Sequence, residues 1–222
     1  MKNTIPLYRI MIPLLILLVS ACSGKKTGTV TDSEGKAYRT VSIGEHIWTA
    51  ENLDVTRYRN GEAIPEVRDP EEWARLTTGA WCWYDNNPEN GKTYGRLYNW
   101  YAVNDPRGLA PKGWHIATDG EWTALTVNFG GETMAGEELK AARLWKETGN
   151  GTGKNGFDML PAGARRDTDG AFLLLGEYGR LWSSTESGTE KAWGRAVGYF
   201  DAALRRGEAN KRLGFAVRCV KD

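Results

Sequence analysis

Residues able to do covalent or metal chemistry are present, but their spacing denies them partners. In "TGNGTGKNGF", Thr148 to Phe157, Lys154 follows Gly153 as in a phosphate-binding loop. Thr148 stands where that motif needs its first glycine and Asn155 where it needs a magnesium-binding hydroxyl, so a flexible loop is expected. Asp167-Thr168-Asp169-Gly170 begins like a calcium loop yet lacks the later acidic ligands, and reads as a hairpin turn. "DNNPENGK", Asp85 to Lys92, is rich in oxygen ligands; a solvated turn is the simpler reading and a calcium ion the alternative. The two histidines, His46 and His115, have no second histidine at helical or hairpin spacing, which argues against zinc. Ser183 and Ser184 in "WSSTES" lack the glycine context of a nucleophile and are expected to bond backbone beside a buried Trp182. No set of nucleophile, base and oxyanion donor assembles. The expectation is a binding protein with no catalytic residue, no metal and no cofactor.

Binding residues are more visible. In "AWGRAVGYFDAALRRGEANKRLGFAVRCVKD", Ala192 to Asp222, the large residues Trp193, Arg195, Val197 and Tyr199 alternate with Gly194, Ala196 and Gly198. As a strand, this places bulk on one face and almost nothing on the other. Glycine inside a strand costs packing and entropy, so the bare face needs a reason: close approach of another backbone, or a surface left open for a ligand.

The elements that must carry this face follow from local signals. Strands are expected at 38–43 and 47–50, between the turns at Asp32-Ser33-Glu34-Gly35 and Gly44-Glu45. A helical turn is expected at 70–76. Leu97, Tyr98, Tyr101 and Ala102 stand at helical spacing and predict a short helix ending before Pro106. Thr118-Asp119-Gly120-Glu121 is a capping box and predicts a helix over 120–129, with Trp122, Leu125 and Phe129 on one stripe. "AGEELKAARLW" permits a third short helix or turn. Beyond Asn150 the chain reads as strand and loop. Strands, grouped helices and a strand-rich second half make an α+β pattern rather than a βαβ alternation.

Lys2 and Arg9, an apolar run from Ile10 to Val19, and the small residues Ser20 and Ala21 form a signal peptide over 1–21. Val19-Ser20-Ala21-Cys22 resembles a bacterial lipobox, which implies acylation of Cys22 and anchoring to a membrane; Ser23 suggests the outer membrane. Residues 22–31 read as a tether, and 32–222 as one domain with a sizeable core. With 29 Lys and Arg against 28 Asp and Glu in 222 residues, no polyanionic partner such as nucleic acid is implied. Cys82 and Cys219 would have the redox setting to pair, but sequence does not say whether they meet, and buried free thiols fit equally. Ten tryptophans and nine tyrosines among 27 glycines suggest short strands and loops held by aromatic packing.

"YGRLYNWYAVNDPRGLAPKGWHIATDGEWTALTVNFGG", "WSSTE" at 182–186, "GFAVRCVKD" at the end, "TVSIGEHIWTAENL" and "GFDMLPAGARRDTDGAF" together resemble the Fibrobacter succinogenes major paralogous domain family, common in lipoproteins of Bacteroidetes and Fibrobacteres. The resemblance spans nearly all of 30–222. It implies a C-type lectin-like fold, akin to formylglycine-generating enzymes: two helices flanking a small twisted antiparallel sheet with long irregular loops. Lectin-type calcium motifs are missing, and the copper-binding cysteine pair of those enzymes has no counterpart.

Some members resemble variable targets of diversity-generating retroelements. The scaffold of such targets matches Trp193, Arg195, Val197, Tyr199, Leu204, Arg206, Asn210, Lys211, Arg212, Gly214 and Phe215. The resemblance makes 187–213 the variable region. It makes Gly194, Ala196, Gly198, Phe200, Asp201, Ala203, Arg205, Gly207, Glu208, Ala209 and Leu213 the ligand-binding positions, although Glu208 departs from the substitution pattern. The expected function is a cell-surface lipoprotein that binds a macromolecule, protein slightly favoured over glycan, through this region. A formylglycine-generating type of enzyme and a structural or fimbrial envelope protein are the alternatives.

Overall fold

The computed structural model describes residues 27–222. The signal peptide expected over 1–21, Cys22 and the start of the expected tether lie outside the described residues. The part of the expected tether from Thr27 onward is strand: β1 (Thr27–Thr31) pairs antiparallel with β2 (Ala37–Ile43), which pairs with β3 (His46–Thr49). Asp32 turns the chain, its Oδ1 accepting from the amides of Glu34 and Lys36 at 2.9 Å each. The lone side-chain oxygen thus does the work of a backbone turn.

The middle of the chain is built from short pieces. These are α1 (Pro70–Ala74), β4 (Trp81–Cys82), α2 (Pro88–Tyr94), β5 (Leu97–Tyr98), α3 (Trp100–Val103) and β6 (Trp114–Ile116). α2 occupies "PENGKTY", where a solvated turn was expected. Asn87 caps it by accepting from the amide of Glu89 at 3.0 Å, and Pro88 sits at the first helical position, where its missing N–H costs nothing. The helix expected around Leu97 to Ala102 is divided. Leu97 and Tyr98 are pulled into strand by pairing with Cys82 and Trp81, and only Trp100–Val103 turns. Nonlocal pairing has overridden a helical spacing.

The capping box is present at α4 (Asp119–Val127): Thr118 Oγ1 accepts from Glu121 N at 3.2 Å, and Glu121 Oε2 accepts from Thr118 N at 2.7 Å. α5 (Glu132–Leu139) follows, then β7 (Ala162–Arg165), β8 (Phe172–Leu175), β9 (Tyr178–Gly188), β10 (Lys191–Gly198), β11 (Arg205–Asn210) and β12 (Cys219–Lys221). β7 and β8 form the expected hairpin around Asp169-Gly170. The architecture is mixed α/β with small antiparallel sheets: a five-stranded sheet in the order β1-β2-β3-β12-β6, a three-stranded sheet β11-β10-β9, and two pairs.

Aromatic rings fill the core. Trp48 of the large sheet meets Trp122 of α4 at 5.0 Å and Phe157 at 5.6 Å, and all three are fully buried. A ring of this size withdraws roughly 200 Å² from water, worth about 5 kcal/mol before entropy is charged. Two buried arginines then fasten the loops. Arg218 donates to Thr49 O, Phe157 O and Asp158 O, and Arg165 to Gly170 O and Arg68 O. Burial pushes the Arg218 guanidinium down to about 10, which leaves it charged at neutral pH. Cys82 and Cys219 are buried free thiols in different sheets, so the pairing alternative is not realised.

Candidate functional site

The site is built on the sheet of β9, β10 and β11. Register pairs Gly194 of β10 with Gly207 of β11 and Trp182 of β9, and Ala196 with Arg205 and Arg180. Because side chains alternate, Trp193, Arg195 and Val197 share one face with Arg206 and Glu208. Gly194, Ala196 and Gly198 share the other with Arg205, Gly207, Ala209, Tyr178, Arg180 and Trp182.

The bulky face is anchored to α4. Arg195, fully buried, donates to Asp119 Oδ1 at 2.7 Å, and Arg206 donates through Nε and one terminal nitrogen to both Asp119 oxygens at 2.9–3.0 Å. Arg206 also lies 3.2 Å over the Trp193 ring. Burial alone would raise the Asp119 carboxyl, but the hydrogen bonds from Arg206 and Arg195 hold it below the ordinary range. Asp119 opens α4, where negative charge also meets the positive end of the helix dipole. This face is therefore a joint between sheet and helix.

Beyond β10 the turn is ordered. Asp201 Oδ1 accepts from Ala203 N at 2.9 Å, and Oδ2 accepts from Arg205 Nε at 3.1 Å. Leu204 is buried in the core and its amide donates to Glu132 O of α5 at 2.8 Å. α5 comes so close that a Cβ on Gly136 would stand 2.7 Å from Ala202 O and from Val197 Cγ2. Lys211 lies 4.8 Å over Trp100 and donates to Thr189 O at 2.6 Å, closing the β9–β10 turn onto the chain after β11.

The bare face is open on its β11 side, where Gly207 is exposed and Ala196 and Ala209 are half-buried, whereas Gly194 and Gly198 are buried beside the Phe215 and Phe200 rings. A pocket of about 130 Å³ lies on it, with Gly194, Ala196, Gly207 and Ala209 as its floor and Arg180, Arg205 and Phe215 at its sides. A Cβ on Gly194 would first meet Leu181 O at 3.2 Å and the Phe215 ring at 3.7 Å; one on Gly207 would meet nothing. No strand covers the floor among the described residues. At the end of the strip the Phe200 ring folds back over Gly198, where a Cβ would stand 3.1 Å from it, while Phe200 itself is 66% exposed.

The expected binding positions are thus divided. Gly194, Ala196, Arg205, Gly207 and Ala209 come together at the pocket, with Gly198 and Phe200 beside it. Asp201 and Ala203 sit in the adjoining turn and Leu213 packs partly buried against the core. Glu208 reaches the pocket edge, but its carboxylate turns to Lys191 at 3.3 Å on the bulky side of the sheet. Arg180 was not among the expected positions. Its only sequence signal is alternation with Tyr178 and Trp182 along β9.

The residues considered for chemistry serve the scaffold. Ser183 Oγ accepts from Thr185 N at 3.0 Å and Ser184 Oγ donates to Ile116 O at 2.9 Å, beside fully buried Trp182, as expected. His115 lies between Glu121 Oε1 at 2.8 Å and Asp222 Oδ1 at 2.7 Å. No group of three or more histidine, cysteine or acidic residues able to hold a metal occurs among the described residues.

Compared with known families, residues 41–221 match the model of the Fibrobacter succinogenes major domain. No curated protein and no solved structure matches the chain.

Proposed function

The chain belongs to the Fibrobacter succinogenes major domain family, and from that premise we propose that it is a surface-anchored ligand-binding module of C-type lectin-like fold, attached through acylated Cys22 at the outer membrane. Its work is binding rather than catalysis. The ligand is a macromolecule, and the contact surface is the bare face of β9, β10 and β11 with the adjoining turn. One observation carries the reading: the bulky face of this sheet is joined to α4 through Asp119, while the other face holds a partly open pocket floored by glycine and alanine. Such a division lets surface residues change without disturbing the joint, which is what a region diversified over 187–213 requires. Gly207 is the least constrained of the small positions, because it is exposed and has open space at its Cβ.

A blocking substitution tests this. Random-peptide and glycan libraries are panned against the full chain, and each binder is re-measured on Gly207→Trp, which fills the pocket from an open position. The reading expects the selected binders to lose affinity on Gly207→Trp. Binders that all keep their affinity would sink it. The diversification part has its own check in the neighbouring DNA, which should hold a reverse transcriptase gene and a near-copy of the last coding segment differing at adenines. Without them, the face is a fixed binding surface.

A further inference from the structure

Arg180 is the unexplained group at this pocket. Every other cation bordering it is engaged: Arg205 with Asp201, and Arg195 and Arg206 with Asp119. Arg180 forms no ion pair and no side-chain hydrogen bond among the described residues, and its Nε is buried without a partner. Its guanidinium stands 5.3 Å from the Tyr178 ring centroid and 5.8 Å from that of Phe215. Two aromatic neighbours hold the group in place while leaving its N–H fork unused. Burial lowers its proton affinity, and no carboxylate counters this.

An unpaired guanidinium is costly to keep half-buried unless something completes it. The pocket tells what fits. Its volume of about 130 Å³ is close to the engineered cavity of about 150 Å³ that accepts benzene, so it takes one side-chain-sized group. Around Arg180 the floor and wall are Gly194, Ala196, Gly207, Ala209 and Phe215, whose side chains offer no hydrogen-bond acceptor. The one acceptor side chain lining the pocket is Glu208, whose carboxylate is turned to Lys191, so a neutral sugar would meet arginine donors in excess of acceptors. A carboxylate on a short aliphatic stem satisfies both features, with its oxygens on the fork and its methylenes on the glycine floor and the Phe215 edge.

We propose that this pocket recognises a carboxylate side chain, glutamate or aspartate, presented by a protein partner, with Arg180 as the specificity-determining residue. The inference rests on the reading of the bare face as a binding surface and adds the chemistry of what enters it.

The test is an NMR titration of the isotope-labelled full chain with three probes: N-acetylglutamate N-methylamide, its glutamine analogue and methyl glucuronoside. The glutamate probe should shift the Gly194, Ala196 and Gly207 amides and the Arg180 Nε–H saturably. The glutamine analogue should bind about tenfold to a hundredfold more weakly, the range expected for a hydrogen bond to a charged group. Arg180→Met should reduce the glutamate probe to the same level with the rest of the spectrum unmoved, and Arg180→Lys, which keeps charge without the fork, should fall between. Equal binding of the glutamate and glutamine probes, or an unaffected Arg180→Met, would refute charge recognition while leaving the surface itself to the Gly207→Trp experiment. Tighter binding of the glucuronoside would replace the protein partner by an acidic glycan. No site-specific shift with any probe would overturn the inference.

Discussion

Asp119→Ala should separate the two faces of the binding sheet. Among the described residues Asp119 is the only carboxylate in an ion pair with Arg195, whose side chain is 0% exposed, and Asp119 itself is 16% exposed. Removing one partner of such a pair leaves a buried charge and typically costs about 3–5 kcal/mol. Arg195 keeps three weaker acceptors, Gly194 O, Asp119 O and Thr123 Oγ1, each at 3.2 Å, so the low end applies. We expect a loss of about 3 kcal/mol in urea unfolding with an unchanged denaturant slope, and a melting temperature lower by roughly 6–12 °C. Adding Arg195→Met should restore much of the loss, since replacing a buried pair by apolar groups is often near neutral. Acid titration gives a second readout. A carboxyl held below its ordinary value contributes fully above the unfolded value, and that contribution disappears as the pH falls through the folded one. Asp119→Asn should therefore flatten the acid limb of the stability curve. A cost below about 1 kcal/mol for Asp119→Ala, or a double variant as unstable as the two singles summed, would refute the joint.

Two further outcomes follow from buried and titrating groups. Cys82 and Cys219, with burial pushing both thiols up to about 12, should show no disulfide by mass after oxidising purification and should resist alkylation until the chain unfolds; a mass lower by about two hydrogens would contradict the separate sheets that hold them. Burial alone would lower His115, but the Asp222 and Glu121 carboxylates raise it above its ordinary 6.5, so its stabilisation is complete below that value and lost as the pH rises through the folded one. His115→Gln should abolish that alkaline fall, and a fall of the same size in the variant would assign it to another group.

Much of the secondary structure was legible because its causes are local. The capping box at Thr118 to Glu121 needs one turn of chain, and the turns at Asp32 to Gly35 and Asp169-Gly170 need only their own residues. Errors fell where distant partners intervened. Leu97 and Tyr98 have helical spacing, yet strand pairing with Cys82 and Trp81 takes them, with Phe215 bridging Tyr98 from the far end of the chain. Asp85 to Lys92 read as a turn because its oxygen-rich composition masks a proline-started, asparagine-capped helix.

The candidate site divides in the same way. Alternation along β10 was enough to place Trp193, Arg195 and Val197 opposite Gly194, Ala196 and Gly198, since side-chain direction in a strand depends only on parity. Whether the bare face is covered depends on what packs there, and Glu208 shows that parity in β11 is set by its register against β10 rather than by its own sequence. Arg180 is an ordinary arginine in the sequence. Its significance lies in the missing partner, and a missing partner exists only once Ala196, Phe215 and Tyr178 have been brought around it.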